Sequence, residues 1–113
     1  MNAIYYQKYL EQDTRNEMEE FFRGIPMGLF FAETVYDVIE ALNYYPIDWL
    51  IMPVTCIEDT SLIKLIEERH SGVKMIVLTD NEMMTAMRLL NQDNIICLPG
   101  PMRLMDLKQK MAV

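Results

Sequence analysis

Five short, almost wholly apolar runs, separated by segments with helical periodicity, constrain this chain more than any other feature. They are Ala3-Ile4-Tyr5-Tyr6, Met27-Gly28-Leu29-Phe30-Phe31-Ala32, Ile47-Asp48-Trp49-Leu50-Ile51-Met52, Val73-Lys74-Met75-Ile76-Val77-Leu78-Thr79 and Asn94-Ile95-Ile96-Cys97-Leu98. Runs of this length without strict alternation suit strands buried on both faces of a parallel sheet. Pro53 stands after the third run and Pro99-Gly100-Pro101 after the fifth, and both read as stops.

The intervening segments carry apolar stripes at helical spacing. Met18, Phe21 and Phe22 mark a first helix, and Val35, Val38, Ile39 and Leu42 a second. Leu62, Leu65 and Ile66 mark a third, with Asp59 and Thr60 as caps ahead of it. Met83, Met87 and Leu90 mark a fourth, capped by Asp80. Leu104, Leu107 and Met111 mark a fifth, with Pro101 suited to its first turn. Strands joined by single helices must run parallel, and right-handed crossovers then favour one solution. That solution is a three-layer αβα domain with a five-stranded parallel sheet in the flavodoxin-like order 2-1-3-4-5, spanning residues 1–113 as one domain. Function in such sheets gathers at the carboxyl ends of the strands, here after Tyr6, Ala32, Met52, Leu78 and Leu98.

Composition excludes several classes. The formal net charge of -7 disfavours direct binding to nucleic acid or to anionic membrane. No apolar stretch reaches membrane-spanning length, and Met1–Lys8 has no secretory character, so a cytoplasmic location is expected. Cys56 and Cys97 are far apart and read as reduced thiols. With His70 as the one histidine, a metal site is not expected. His70 reads as a residue near a helix C-terminus, where positive charge is favoured. None of the four glycines forms a phosphate-cradling loop, so no nucleotide or flavin cofactor is expected.

The pattern resembles the receiver domain of bacterial response regulators. Ala32–Leu42 is similar to the second strand and helix of that family. Pro46-Ile47-Asp48-Trp49-Leu50-Ile51-Met52 resembles its third strand, Val77-Leu78-Thr79 its fourth, and Leu98-Pro99-Gly100-Pro101 the end of its fifth. The resemblance implies four functional elements. They are an acceptor Asp ending the third strand, an acidic pair for Mg²⁺ after the first, a Thr or Ser after the fourth and a Lys after the fifth.

Carried over residue by residue, the chemistry is missing. Pro53 occupies the acceptor position and has no nucleophile. Asp48 comes four to five residues too early. Thr79 matches the Thr, although its hydroxyl also suits a strand-end cap. Gly100, or Pro99 with a slip of one, replaces the Lys. Glu11 and Asp13 lie in the region of the acidic pair.

The implied reading is a degenerate pseudo-receiver that binds a protein partner or dimerises without phosphorylation and is not an enzyme. It would serve as a regulatory part of a larger signalling or transcription-regulatory protein. Six of the eleven methionines fall between residues 83 and 111. Met83, Met84, Met87, Met102 and Met105 would form an adaptable surface. In receivers the fourth helix, fifth strand and fifth helix make the docking face. The alternative is a small flavodoxin-like enzyme or carrier using the Cys56 thiol, which has no basic neighbour in sequence to activate it.

Overall fold

The computed structural model describes residues 1–79, 94–99 and 104–111. Five strands, β1 (Asn2–Tyr6), β2 (Gly28–Ala32), β3 (Trp49–Val54), β4 (Lys74–Thr79) and β5 (Ile95–Pro99), form one sheet in the order β2-β1-β3-β4-β5. All four neighbouring pairs are parallel. Helices α1 (Gln12–Arg23), α2 (Val35–Tyr44), α3 (Ile57–Arg69) and α4 (Leu104–Met111) complete the described elements. The expected fourth stripe, Met83, Met87 and Leu90, lies outside the described residues, between β4 and β5.

Because strand side chains alternate, each central strand feeds two cores. Ile4, Leu50, Met52, Met75 and Val77 point to the face covered by Val38 and Leu42 of α2 and by Leu62, Ile63 and Ile66 of α3. Ala3, Tyr5, Trp49, Ile51, Ile76 and Leu78 point to the other face. There Met18 and Phe22 of α1 and Leu107 and Met111 of α4 cover them. The sheet thus lies between two helical layers, and burial on both faces explains why its strands read as continuous apolar runs. Among the described residues no helix is long and apolar enough to cross a membrane.

Local expectations needed three corrections. Pro53 does not stop the third strand, which continues to Val54 with Pro53 opposite Leu78. Pairing of β3 with β1 ends at Ile51, so at Pro53 the strand has a partner on one side only, and the missing N–H leaves no gap in the ladder. Pro99 likewise belongs to β5, an edge strand. Helix α3 begins at Ile57, before the expected caps. Cys56 is its N-cap, and Asp59 reaches back from the third helical position to accept from the Cys56 N–H at 3.3 Å, one half of a capping box. The buried residues of α3 are Leu62, Ile63 and Ile66, with Leu65 half-buried, so the stripe includes Ile63 where periodicity alone favoured Leu65.

Asp48, too early to be an acceptor, has a structural task at the amino end of the sheet. Its carboxylate accepts from the Asn2 N–H at 2.9 Å, and its own N–H donates to the Asn2 carbonyl at 2.8 Å. The Asp48 carbonyl accepts from Lys74 N–H at 2.9 Å, so one residue ties β1, β3 and β4 together. The Asn2 side chain donates to Pro46 O at 3.0 Å and lies against Gly28, where a Cβ would collide with its Oδ1. Asp48→Ala is expected to lower stability by about 1.5–3 kcal/mol, the range for a hydrogen bond to a charged group. Urea unfolding should show a reduced midpoint with an unchanged slope.

Candidate functional site

The carboxyl edge of the sheet carries two adjoining cavities. One, of about 360 Å³, is lined by Tyr6, Lys8, Glu33, Thr34, Val35, Cys56, Glu58, Asp59 and Leu62. The other, of about 220 Å³, is lined by Tyr6, Gln7, Lys8, Pro53, Thr55, Cys56 and Asp59. Tyr6, Lys8, Cys56 and Asp59 are common to both. Their elements explain the gathering: Tyr6 ends β1, Pro53 lies one residue from the end of β3, and Cys56 and Asp59 begin α3.

The loop from β1 to α1 sets what faces the cavities. Gln7 and Lys8 follow the strand directly. Tyr9 then turns the chain with φ 57°, a left-handed conformation that costs a non-glycine residue on the order of 1 kcal/mol. Glu11 and Asp13 come after this turn. Glu11 is the N-cap of α1 without a side-chain bond, and Asp13 lies in the first turn of that helix. Both are exposed, and neither lines either cavity. The positions following the first strand therefore belong to an amide and an ammonium, Gln7 and Lys8. The signal was in the sequence, since Tyr6 ends the apolar run and these two residues come next.

Pro53 is half-buried and presents its ring to the smaller cavity. Thr79 lies beside it on β4, paired with Val54, and is 1% exposed. Its hydroxyl has no hydrogen-bond partner among the described residues. Gly100 lies outside those residues, as do Met83, Met84, Met87 and Met102. Met105 belongs to α4, with its side chain outside the description. Among the described residues no group of three His, Cys, Asp or Glu side chains is placed to hold a metal ion.

The acids at the site are committed to the backbone. Asp59 Oδ2 accepts from Thr55 N–H at 2.9 Å, from the Thr55 hydroxyl at 3.4 Å and from the Cys56 thiol at 3.5 Å, in addition to the Cys56 N–H. Such a carboxylate organises the turn into α3, and its acceptor capacity is largely used. Glu58 is held below the usual carboxylate range, first by its own backbone N–H and then by the Cys56 thiol. The thiol is pushed up in turn, chiefly by its bond to Glu58, with the Asp59 N–H pulling the other way. Burial raises the Tyr6 hydroxyl, helped by Asp59 and Cys56. An exposed thiol among carboxylates stays protonated at neutral pH, the opposite of an activated nucleophile.

No family model and no curated protein matches the sequence. Solved structures do match. The signal receiver domain of an HD domain-containing protein from Pseudomonas fluorescens Pf-5 is 16% identical, with a TM-score of 0.81 over 98% of this chain and 90% of that one. The response regulator RcsB of Salmonella typhimurium is 20% identical, with a TM-score of 0.77 over 99% of this chain and 59% of that one. A structure described as adenylate cyclase from Rhodopirellula baltica is 15% identical, with a TM-score of 0.79 over 98% and 84%. The chain has the receiver fold, and it spans only part of the length of RcsB.

The alkylation rate of Cys56 by iodoacetamide, read peptide by peptide, should lie below that of a free thiol at pH 7 and rise only at a higher pH. A rate above that of a free thiol at pH 7 would show an activated group. Tyr5, whose hydroxyl donates to Gln7 at 2.7 Å, is pushed up to about 12 by burial and then by Glu17. Tyrosine in the unfolded chain ionises near ~10, so the contribution is complete below that pH and disappears as pH rises towards the folded value. Stability should fall by about 2–3 kcal/mol across that interval, and Tyr5→Phe should flatten the decline.

Proposed function

We propose that this chain is a phosphorylation-independent pseudo-receiver of bacterial type, working in the cytoplasm as a protein-interaction or dimerisation module and not as an enzyme. It would be a regulatory part of a larger signalling or transcription-regulatory protein. The observation that carries this reading is the pairing of Pro53 with Lys8 at the carboxyl edge, both lining the same cavity. Where the family resemblance calls for a nucleophilic carboxylate, a pyrrolidine ring offers no lone pair to phosphorus. Where it calls for acids around a divalent cation, Gln7 is a neutral amide whose oxygen already accepts from Tyr5, and Lys8 brings a positive charge. A hard dication gains its binding energy from anionic oxygen ligands, and a nearby ammonium opposes it. Thr79 keeps its place, but a hydroxyl alone cannot drive phosphoryl capture.

A module released from phosphorylation must act through its surfaces. The proposed face is built from the segment between β4 and β5, from β5 and from α4, with Met83, Met84, Met87, Met102 and Met105 as adaptable contacts. Unbranched thioether side chains can repack against more than one partner, which suits a constitutive docking surface.

Incubation with acetyl phosphate and Mg²⁺, followed by intact mass measurement, should leave the chain unlabelled. Beryllofluoride with Mg²⁺ should leave the amide resonances of Val54 and Thr79 in place. A stable acyl-phosphate adduct, or beryllofluoride shifts confined to those residues, would refute the reading. Pro53→Asp alone should remain poorly labelled because Lys8 still opposes the metal. Adding Gln7→Asp and Lys8→Asp should raise labelling.

A further inference from the structure

The outer edge of β2 is a hydrogen-bonding surface with a defined register. This strand pairs with β1 alone. Gly28 N–H donates to Met1 O, and Ala32 O accepts from Gln7 N–H. In a parallel ladder alternate residues bond to the same side, so Gly28, Phe30 and Ala32 face β1. The N–H and C=O groups of Leu29 and Phe31 therefore point outward.

The same parity would turn Met27 and Glu33 outward, but both are taken. Met27 N–H donates to Ile25 O at 2.7 Å, and Glu33 N–H to Asp37 Oδ2 at 3.4 Å. The free array is thus two residues long. The strand carries no charge and no proline, the usual devices that blunt an exposed edge. Leu29, Phe30 and Phe31 are all half-buried.

We infer that β2 pairs antiparallel with β2 of a second copy of this chain, about a two-fold axis at Phe30. A two-residue array is self-complementary in this register. Leu29 exchanges both backbone bonds with Phe31 of the other copy, and Phe31 does the same with Leu29 of that copy, giving four bonds. A shift of two residues either way would put Leu29 opposite Glu33 or Phe31 opposite Met27, whose N–H groups are already committed. A shift of one would set outward groups against inward ones. The chosen register also sets apolar against apolar at every step: Phe30 meets its own copy, and Leu29 meets Phe31.

The pairing brings no ionic side chain of the strand against another, although each copy carries -7 overall. A stable interface covers roughly 800 Å² on each partner, more than a five-residue strand supplies. The neighbouring surface extends it: Tyr45 stacks on Phe30 at 4.7 Å between ring centroids and is 50% exposed, and Tyr44 is 77% exposed. The product is a continuous ten-stranded sheet. β2 lies at the sheet edge opposite β5, and its pairing with a second copy does not depend on the missing acceptor.

Sedimentation equilibrium of the whole chain at physiological ionic strength, from micromolar to several hundred micromolar, tests it. The mass should rise towards twice the monomer. Leu29→Pro removes one outward N–H and leaves the β1 ladder intact, so it should weaken association at least about tenfold, with circular dichroism checking the fold. In the wild-type chain, exchange of the Leu29 and Phe31 amides should slow as concentration rises. A strict monomer would overturn the proposal. So would a dimer whose Leu29 and Phe31 amides gain no protection, because another face would then hold it.

Discussion

Strand β3 holds the rest of the molecule in place. It lies between β1 and β4, and Leu50, Ile51 and Met52 have no exposed surface. Its odd and even residues are the common floor of both hydrophobic cores, so the two helical layers are each registered against this strand. A slip of one residue would exchange its two faces and disrupt both cores at once. Asp48 fixes the register at the amino end by binding Asn2 and Lys74. With that end pinned, the position of Pro53 at the opposite end follows from the strand's length.

The carboxyl edge then owes its character to three side chains that the fold brings together from distant places. Tyr6, Lys8 and Asp59 meet there because β1 and β3 are neighbours and α3 starts three residues after β3 ends. Asp59 spends its oxygens on the turn into α3, and its carboxylate in turn helps keep the Cys56 thiol protonated. Lys8 supplies positive charge on the side where the receiver resemblance would place acids. The edge carries a crevice whose charged lining residues are Lys8, Glu33, Glu58 and Asp59.

Much of the fold was legible because burial on both faces leaves an unmistakable apolar run, as in Leu50–Met52 and Met75–Leu78. The buried stripes of α1 and α4 were equally plain, since Met18, Phe22, Leu107 and Met111 are where periodicity puts them. The ends were harder. Pro53 reads as a breaker unless it is known that β1 has already stopped pairing at Ile51, a tertiary fact. Asp59 reads as an N-cap unless the reciprocal bonds of a capping box shift the helix start by three residues. Glu11 and Asp13 have the chemistry of an acidic pair, whereas Gln7 and Lys8, which directly follow β1, do not. Beyond the left-handed turn at Tyr9, Glu11 is the N-cap of α1 and Asp13 lies in its first turn, and neither lines the cavities.

Manganese titration followed by nuclear magnetic resonance is the most direct probe of the carboxyl edge. Mn²⁺ broadens signals within reach of its binding site. The account predicts no saturable, selective broadening of Tyr6, Gln7, Lys8, Val54 or Thr55 amides at millimolar Mn²⁺, because an ammonium and a proline ring cannot hold the ion. Selective loss of those signals at micromolar Mn²⁺, reversed by excess Mg²⁺, would contradict it.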